Sequence, residues 1–220
     1  PYTSSLYTIW PKIHMKKNKH YLILPFLLLV ISCLNNKSSN EISEVDYTQN
    51  SISNQEFKNP EAEKTNDIAV EYAKKGENTK AKTIFIDALE IEPDNYTIMS
   101  NIGLNSLALK KYDKSIEFLK KAIIASDSTY FIANSNLGLV YYKTADYEKA
   151  IKTLDYVINN CNDKKIIRAA YINQALSYIS NGNCTEAENN LILIKEIELE
   201  KSIEVENIEE KLKNGVQQRV

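Results

Sequence analysis

The sequence predicts an all-α chain built from repeated helical pairs, and two observations carry that expectation. Gly and Pro number only five each in 220 residues, too few for a turn-dense sandwich or barrel. Small residues also recur at fixed spacing: Ala69 with Ala81, Gly103 with Ser115, Gly138 with Ala150, and Ala175 with Ala187. The members of each couple are twelve residues apart, and successive couples follow after 34, 35 and 37 residues. With 43% hydrophobic and 25% charged residues, the chain can bury a real core, and its length suits one domain with appendages.

Residues 1–14 show no usable period and are set aside as an upstream remnant. Met15 opens a basic segment with Lys16, Lys17 and Lys19, followed by an apolar run from Tyr21 to Ile31 and then Ser32-Cys33. This is the plan of a signal peptide over residues 15–32. Eleven apolar residues interrupted by Pro25 fall short of the roughly 20 that a spanning helix needs. Val30-Ile31-Ser32-Cys33 resembles the lipobox of bacterial lipoproteins. The resemblance implies acylation of the Cys33 thiol, with Cys33 as the mature N-terminus; ordinary cleavage leaving Cys33 as a passenger is the alternative. Several acyl chains, at about 0.8 kcal/mol per buried methylene, would hold the protein on a membrane. Leu34 follows in place of the acidic residue that retains some lipoproteins at the inner membrane. The expected location is therefore the bacterial cell envelope, on the outer membrane facing the periplasm.

Loss of the leader removes His14 and His20, the only histidines, and Trp10, the only tryptophan. It also removes four Lys and no acid from 27 basic and 29 acidic residues, leaving a net charge of about −6. That balance opposes nucleic-acid binding, which needs a basic footprint. Residues 33–58 turn to Asn, Ser, Gln and Glu and read as a lipid anchor followed by a flexible tether. Asn59-Pro60-Glu61 then gives a helix start: a capping Asn, a Pro whose missing N–H costs nothing there, and an acid near the positive end of the dipole.

Four units follow between residues 62 and 197. The first, Ala62 to Asn95, carries Ile68-Ala69, Tyr72, Gly76, Ala81, Phe85, Ala88 and Pro93. The second, to Tyr130, has Met99, Ile102-Gly103, Ser115, Leu119 and Ala122, with Ser106 and Asp127 where Tyr and Pro are usual. The third, from Phe131 to Lys164, has Asn134, Leu137-Gly138, Tyr141, Tyr147, Ala150 and Leu154. The fourth, from Arg168, has Tyr171, Ala175, Tyr178, Gly182, Ala187 and Leu191, departs at Gln174 where Leu is usual, and follows three extra residues around Cys161 to Lys165 that suggest a loose loop.

The period near 34 and these marked positions resemble the tetratricopeptide repeat. The resemblance implies an α-α superhelix, or solenoid, of about four helix-turn-helix units over residues 59–197. Small residues at 69, 103, 138 and 175 let paired helices approach closely. Gly76 and Gly182 suit the turns that end first helices at positive φ. Residues 198–220 would supply a C-terminal capping helix and tail, with Val205, Ile208 and Leu212 at helical spacing, because such arrays shield their last apolar face.

Chemistry is sparse. Without His the mature chain has no Ser-His-Asp constellation and no His-containing zinc site. It also has no Walker loop, no G-x-S-x-G and no C-x-x-C. The expectation is a protein that is not an enzyme, needs no cofactor or metal, and takes no small-molecule substrate. Cys161 and Cys184 should flank a whole helix of about 14 residues, roughly 20 Å, beyond the roughly 7 Å a disulfide allows, so both are expected as free thiols.

By the resemblance, places two, five, nine, twelve and thirteen of each unit face a concave groove that binds a peptide or helix of a protein partner. These are Glu63, Asn66, Val70, Ala73 and Lys74; Thr97, Ser100, Leu104, Leu107 and Ala108; Ile132, Ser135, Leu139, Tyr142 and Lys143; and Ala169, Ile172, Leu176, Ile179 and Ser180. The apolar members Leu104, Leu107, Leu139, Tyr142, Leu176 and Ile179 would form an exposed stripe larger than monomers usually leave open, and Ser135, Lys143 and Ile172 complete the candidate partner site. Burying each apolar side chain contributes about 1.5–3 kcal/mol against an association cost of about 4–15 kcal/mol. The function implied is a membrane-anchored interaction scaffold. The alternatives are an accessory subunit of an envelope enzyme complex, or a spacer whose groove is filled by its own C-terminal helix.

Overall fold

A computed structural model describes residues 57–197 and 203–217. The leader, Cys33 and the tether lie outside the described residues. Among the described residues all regular structure is helical: α1 (Pro60–Lys74), α2 (Asn78–Ile91), α3 (Tyr96–Ala108), α4 (Tyr112–Ala125), α5 (Phe131–Lys143), α6 (Tyr147–Asn160), α7 (Lys164–Ser180), α8 (Cys184–Ile197) and α9 (Ile203–Gln217). No helix among them is long and apolar enough to cross a membrane.

Capping explains where the units begin. Asn59 accepts a hydrogen bond from the Glu61 N–H at 2.9 Å, with Pro60 in the first turn of α1. Asn95 caps α3 by accepting from the N–H groups of Thr97 and Ile98. The buried Glu92 carboxylate gathers the Lys58 and Asn59 N–H groups at 3.3 and 3.2 Å and the Asn95 side-chain amide at 3.0 Å. The chain entering α1 is thereby fastened to the turn between α2 and α3.

Within each unit a three-residue turn reverses the chain, and each turn passes through positive φ: Gly76 at 78°, Lys110 at 57°, Ala145 at 60° and Gly182 at 86°. The following N–H bonds back across the helix end each time, as in Glu77 to Tyr72, Lys111 to Ser106 and Asn183 to Tyr178. The two glycines fall where the sequence places them. Lys110 and Ala145 adopt the same conformation at a steric cost, because the repeat geometry overrides their preference.

The paired helices interlock as the spacing predicts. A methyl group added at Gly103 would lie 2.6 Å from Leu119 Cγ, and at Gly138 2.5 Å from Leu154 Cγ. Ser115 Oγ also donates to the Gly103 carbonyl at 2.7 Å. First helices of successive units pack on one another, α1 on α3, α3 on α5 and α5 on α7, more extensively than second helices do. They form the inner layer, and α2, α4, α6 and α8 the outer one. Helix α9 packs on α7 and α8.

The extra residues before unit four do not form a loose loop. Asp163 accepts from the N–H groups of Lys165 and Ile166 at 2.8 and 3.2 Å, so the insertion adds a turn to the front of α7, which reaches 17 residues. The thiol expectation is also corrected in part. Cys161 is free and buried, and burial pushes its thiol pKa up, but Cys184 is disulfide-bonded. Cys161 and Cys184 are not joined to each other, as their separation requires.

Replacing Ala145 with Gly should relieve the turn and raise stability by about 0.5–1 kcal/mol. Gly138→Ala should lower it by about 1–3 kcal/mol through overpacking against Leu154. Urea denaturation followed by helical ellipticity checks both signs; a stabilising Gly138→Ala would contradict the interlock.

Candidate functional site

Six of the nine proposed partner-contact residues are buried. Leu104 is 1% exposed, Leu107 6%, Ser135 2%, Ile172 7%, Leu176 2% and Ile179 6%. Leu139 and Tyr142 are half-buried, and Lys143 is exposed. The expected open apolar stripe is therefore corrected. Neighbouring first helices close over these positions, and α9 covers the last of them: Ile172, Leu176 and Ile179 share one apolar cluster with Val205, Ile208 and Leu212, and Tyr142 packs against it.

The inner layer is also more polar than an apolar groove implies. Asn101 on α3 donates from Nδ2 to Asn66 Oδ1 on α1 at 2.8 Å, with both side chains buried. Further along, the Tyr130 hydroxyl lies beside the Thr97 and Ser100 hydroxyls at the α3–α5 junction. None of the three oxygens has a well-formed hydrogen bond. Burial pushes the Tyr130 pKa far up, so the phenol stays neutral.

Gln174 occupies the place of Ile102 and Leu137 in earlier units, and its role is polar bridging. Nε2 donates to Asp155 Oδ1 at 2.6 Å and to the Ile151 carbonyl at 3.3 Å on α6, while Oε1 accepts from Asn190 Nδ2 on α8 at 2.8 Å. The apolar core divides at this level, with one cluster over residues 62–170 and another over 172–212.

What stays accessible is an edge where α5, α7 and α9 meet. Tyr142 contributes its ring, with the Tyr147 centroid 6.2 Å away and Lys143 Nζ 5.8 Å from its own. Burial raises the Tyr142 pKa, opposed by a hydrogen bond with Ser180. From α9 comes Lys211, half-buried, whose pKa is lowered by burial and then by the charge of Lys143. Sequence reasoning missed Lys211, Tyr130, Asn101 and the Gln174 bridge; the Gln at a Leu position was the one visible signal. Among the described residues no three His, Cys, Asp or Glu side chains come together as metal ligands would.

Helical hairpins stacked at a 34- to 37-residue period, each touching its neighbours, define an α-solenoid repeat protein. The repeats are tetratricopeptide repeats: residues 66–95 and 96–124 match one tetratricopeptide repeat model, and 135–161 match a second. Among solved structures, the fold is similar to residues 41 to the end of MamA from Desulfovibrio magneticus RS-1, at 15% identity and a TM-score of 0.56, over 73% of this chain and 92% of that one. A tetratricopeptide repeat protein from Parabacteroides merdae aligns at 20% identity and a TM-score of 0.55, over 71% of this chain and 60% of that one. A further MamA crystal structure aligns at 21% identity and a TM-score of 0.54, over 64% and 78%. At these identities the likeness concerns the fold. Among curated proteins no sequence match is found. Such repeats are interaction scaffolds rather than catalytic domains, because their curvature builds extended concave binding surfaces.

Replacing Gln174 with Leu restores the usual apolar residue but strips the buried Asn190 amide of its acceptor, which should cost about 1–3 kcal/mol. The double change with Asn190→Leu should recover most of that loss. A double-mutant cycle in urea measures the coupling; strictly additive losses would mean that the bridge is not a unit.

Proposed function

We propose that the protein is a non-enzymatic scaffold, anchored to the envelope membrane through acylated Cys33, that holds a helix or peptide of a partner protein along its inner layer. The observation that carries the reading is the edge formed by Leu139, Tyr142 and Lys143, where the inner layer is only half covered and an aromatic ring, an aliphatic side chain and a cation lie together. Aromatic anchors with a charged neighbour at the rim are what peptide grooves use. The lipobox-like Val30 to Cys33 supports the membrane anchor, Leu34 in place of an acidic residue supports the outer membrane facing the periplasm, and residues 34–58 would serve as the tether. The spacer reading keeps one supporting observation, the seating of α9 on Ile172, Leu176 and Ile179.

Crosslinking in the native envelope should capture a protein partner with the parent chain. The paired change Leu139→Glu and Tyr142→Glu should abolish the capture while leaving helical ellipticity intact; undiminished capture would overturn the groove assignment.

Mass spectrometry of the envelope form should find Cys33 acylated at the N-terminus. A Cys33 without a lipid would overturn the anchor.

A further inference from the structure

Helix α1 keeps, on its outer surface, a relief suited to receive another helix. In unit four the residue at the place of Ile68 is turned onto the preceding second helix: Gln174 bonds Asp155 and the Ile151 carbonyl on α6. Ile102 and Leu137, at the same place in units two and three, are buried. Ile68 is 43% exposed. Around it runs an open groove of about 550 Å³, and every residue lining it belongs to α1 or is its C-terminal cap, Lys75.

The groove lies between two ridges. Lys64, Ile68 and Tyr72 stand four residues apart on one, and Glu63, Asp67 and Glu71 stand four apart on the other. Such rows with a furrow between them are what lets helices pack, the ridge of one lying in the furrow of the other. The Tyr72 ring is held in its row by Lys80, whose Nζ lies 3.8 Å from the ring centroid. The two ridges differ in charge: the first joins an aliphatic and an aromatic side chain to one cation, and the second is acidic along these three residues. A helix that fills the furrow must therefore bring an apolar ridge that carries a cation. Helix α1 itself has that ridge.

We propose that this face of α1 docks on the same face of a second copy of the chain, forming a two-fold dimer through the first helix of the array. With the two-fold axis along the furrow, the apolar ridge of each copy enters the furrow of the other. The two Ile68 side chains then meet near the axis, and Lys64 of each copy lies against the acidic ridge of the other. A surface that supplies its own complement closes with two copies and leaves no open end. The contact is one 15-residue helix on another, small beside the roughly 1,200–2,000 Å² of a stable interface, so the dimer half-forms at about 10–100 µM. It involves none of the residues proposed above for partner contact.

Sedimentation equilibrium on the mature chain, residues 33–220 made without acylation, should show a monomer–dimer equilibrium between about 1 µM and about 1 mM. Ile68→Asp, at an exposed position, should weaken the dimer at least about tenfold while leaving helical ellipticity unchanged. Lys64→Glu sets acid against acid twice in the dimer and should weaken it about threefold or more; adding Asp67→Lys should restore most of that loss. A contact elsewhere on the surface would give no such rescue. A chain still monomeric at about 1 mM, a dimer indifferent to Ile68→Asp, or a Lys64→Glu loss without rescue would overturn the proposal. Two further results would overturn it by giving the face to another occupant. Faster hydrogen exchange of residues 34–56 on Ile68→Asp in a monomeric chain would assign it to the tether. A photocrosslinker at position 68 that joins the chain to a different protein, and not to its own copy, would assign it to a foreign helix.

Discussion

The fold depends on one close approach within the hairpin. In the second and third units a glycine in the middle of the first helix faces a leucine sixteen places later on the second, Gly103 with Leu119 and Gly138 with Leu154, and the equivalent couples Ala69 with Phe85 and Ala175 with Leu191 are likewise buried, each in one apolar cluster. At Gly103 and Gly138 the space for even a methyl group is taken by the opposing leucine. This contact fixes how closely the helices of a hairpin approach, and hence how far the next hairpin is rotated against it. The second small residue, twelve places on, completes the approach, and at Ser115 it also binds the carbonyl of Gly103. Everything later in the structure, including which residues reach the inner layer, follows from that spacing.

Between units the packing is different in kind. The first helices meet through Asn66 and Asn101, through the hydroxyls of Thr97, Ser100 and Tyr130, and through Ser135, all buried. Short polar side chains let these helices pack closely enough to close the inner layer. The same closeness explains why residues at groove positions are largely covered. Three hydroxyls without well-formed hydrogen bonds are a cost, and the apolar couples within each hairpin offset it. Helix α1 shows the contrast from the other side: Ile68, equivalent to the buried Ile102 and Leu137, is 43% exposed, because no preceding unit among the described residues packs on it.

Much of this architecture was legible in the sequence because repetition amplifies weak signals. One glycine in a helix means little, but small residues at 69, 103, 138 and 175 with partners twelve places on admit few explanations. The turns were half legible: Gly76 and Gly182 announce positive φ, while Lys110 and Ala145 adopt it under constraint and carry no mark of it. The insertion near Cys161 could not be placed from sequence, since Asp163 serves equally well in a loop or as a helix cap; the structure uses it as a cap. Groove positions were legible as a face but not as a surface. A repeat pattern tells which way a side chain points, whereas exposure depends on what the neighbouring unit and α9 lay over it.

The junction at Gln174 decides how these parts behave together. In a linear array, stability is close to a sum of unit terms and nearest-neighbour terms, so the weakest interface determines where the array opens first. Units one to three share one continuous apolar cluster, but between α6 and the later half of α7 the continuity is broken and a bridge from Asp155 through Gln174 to Asn190 takes its place. Such a bridge is strong while its geometry holds and contributes little once it is stretched, unlike an apolar contact that degrades gradually. The fourth unit is thus joined to the array in two ways, by the first half of α7, whose Ile166 and Ala170 belong to the core of the earlier units, and by this polar bridge. The accessible edge of Tyr142 and Lys143 sits beside that division, with Tyr142 on α5 packed against the second cluster, so a ligand there would touch both sides of it.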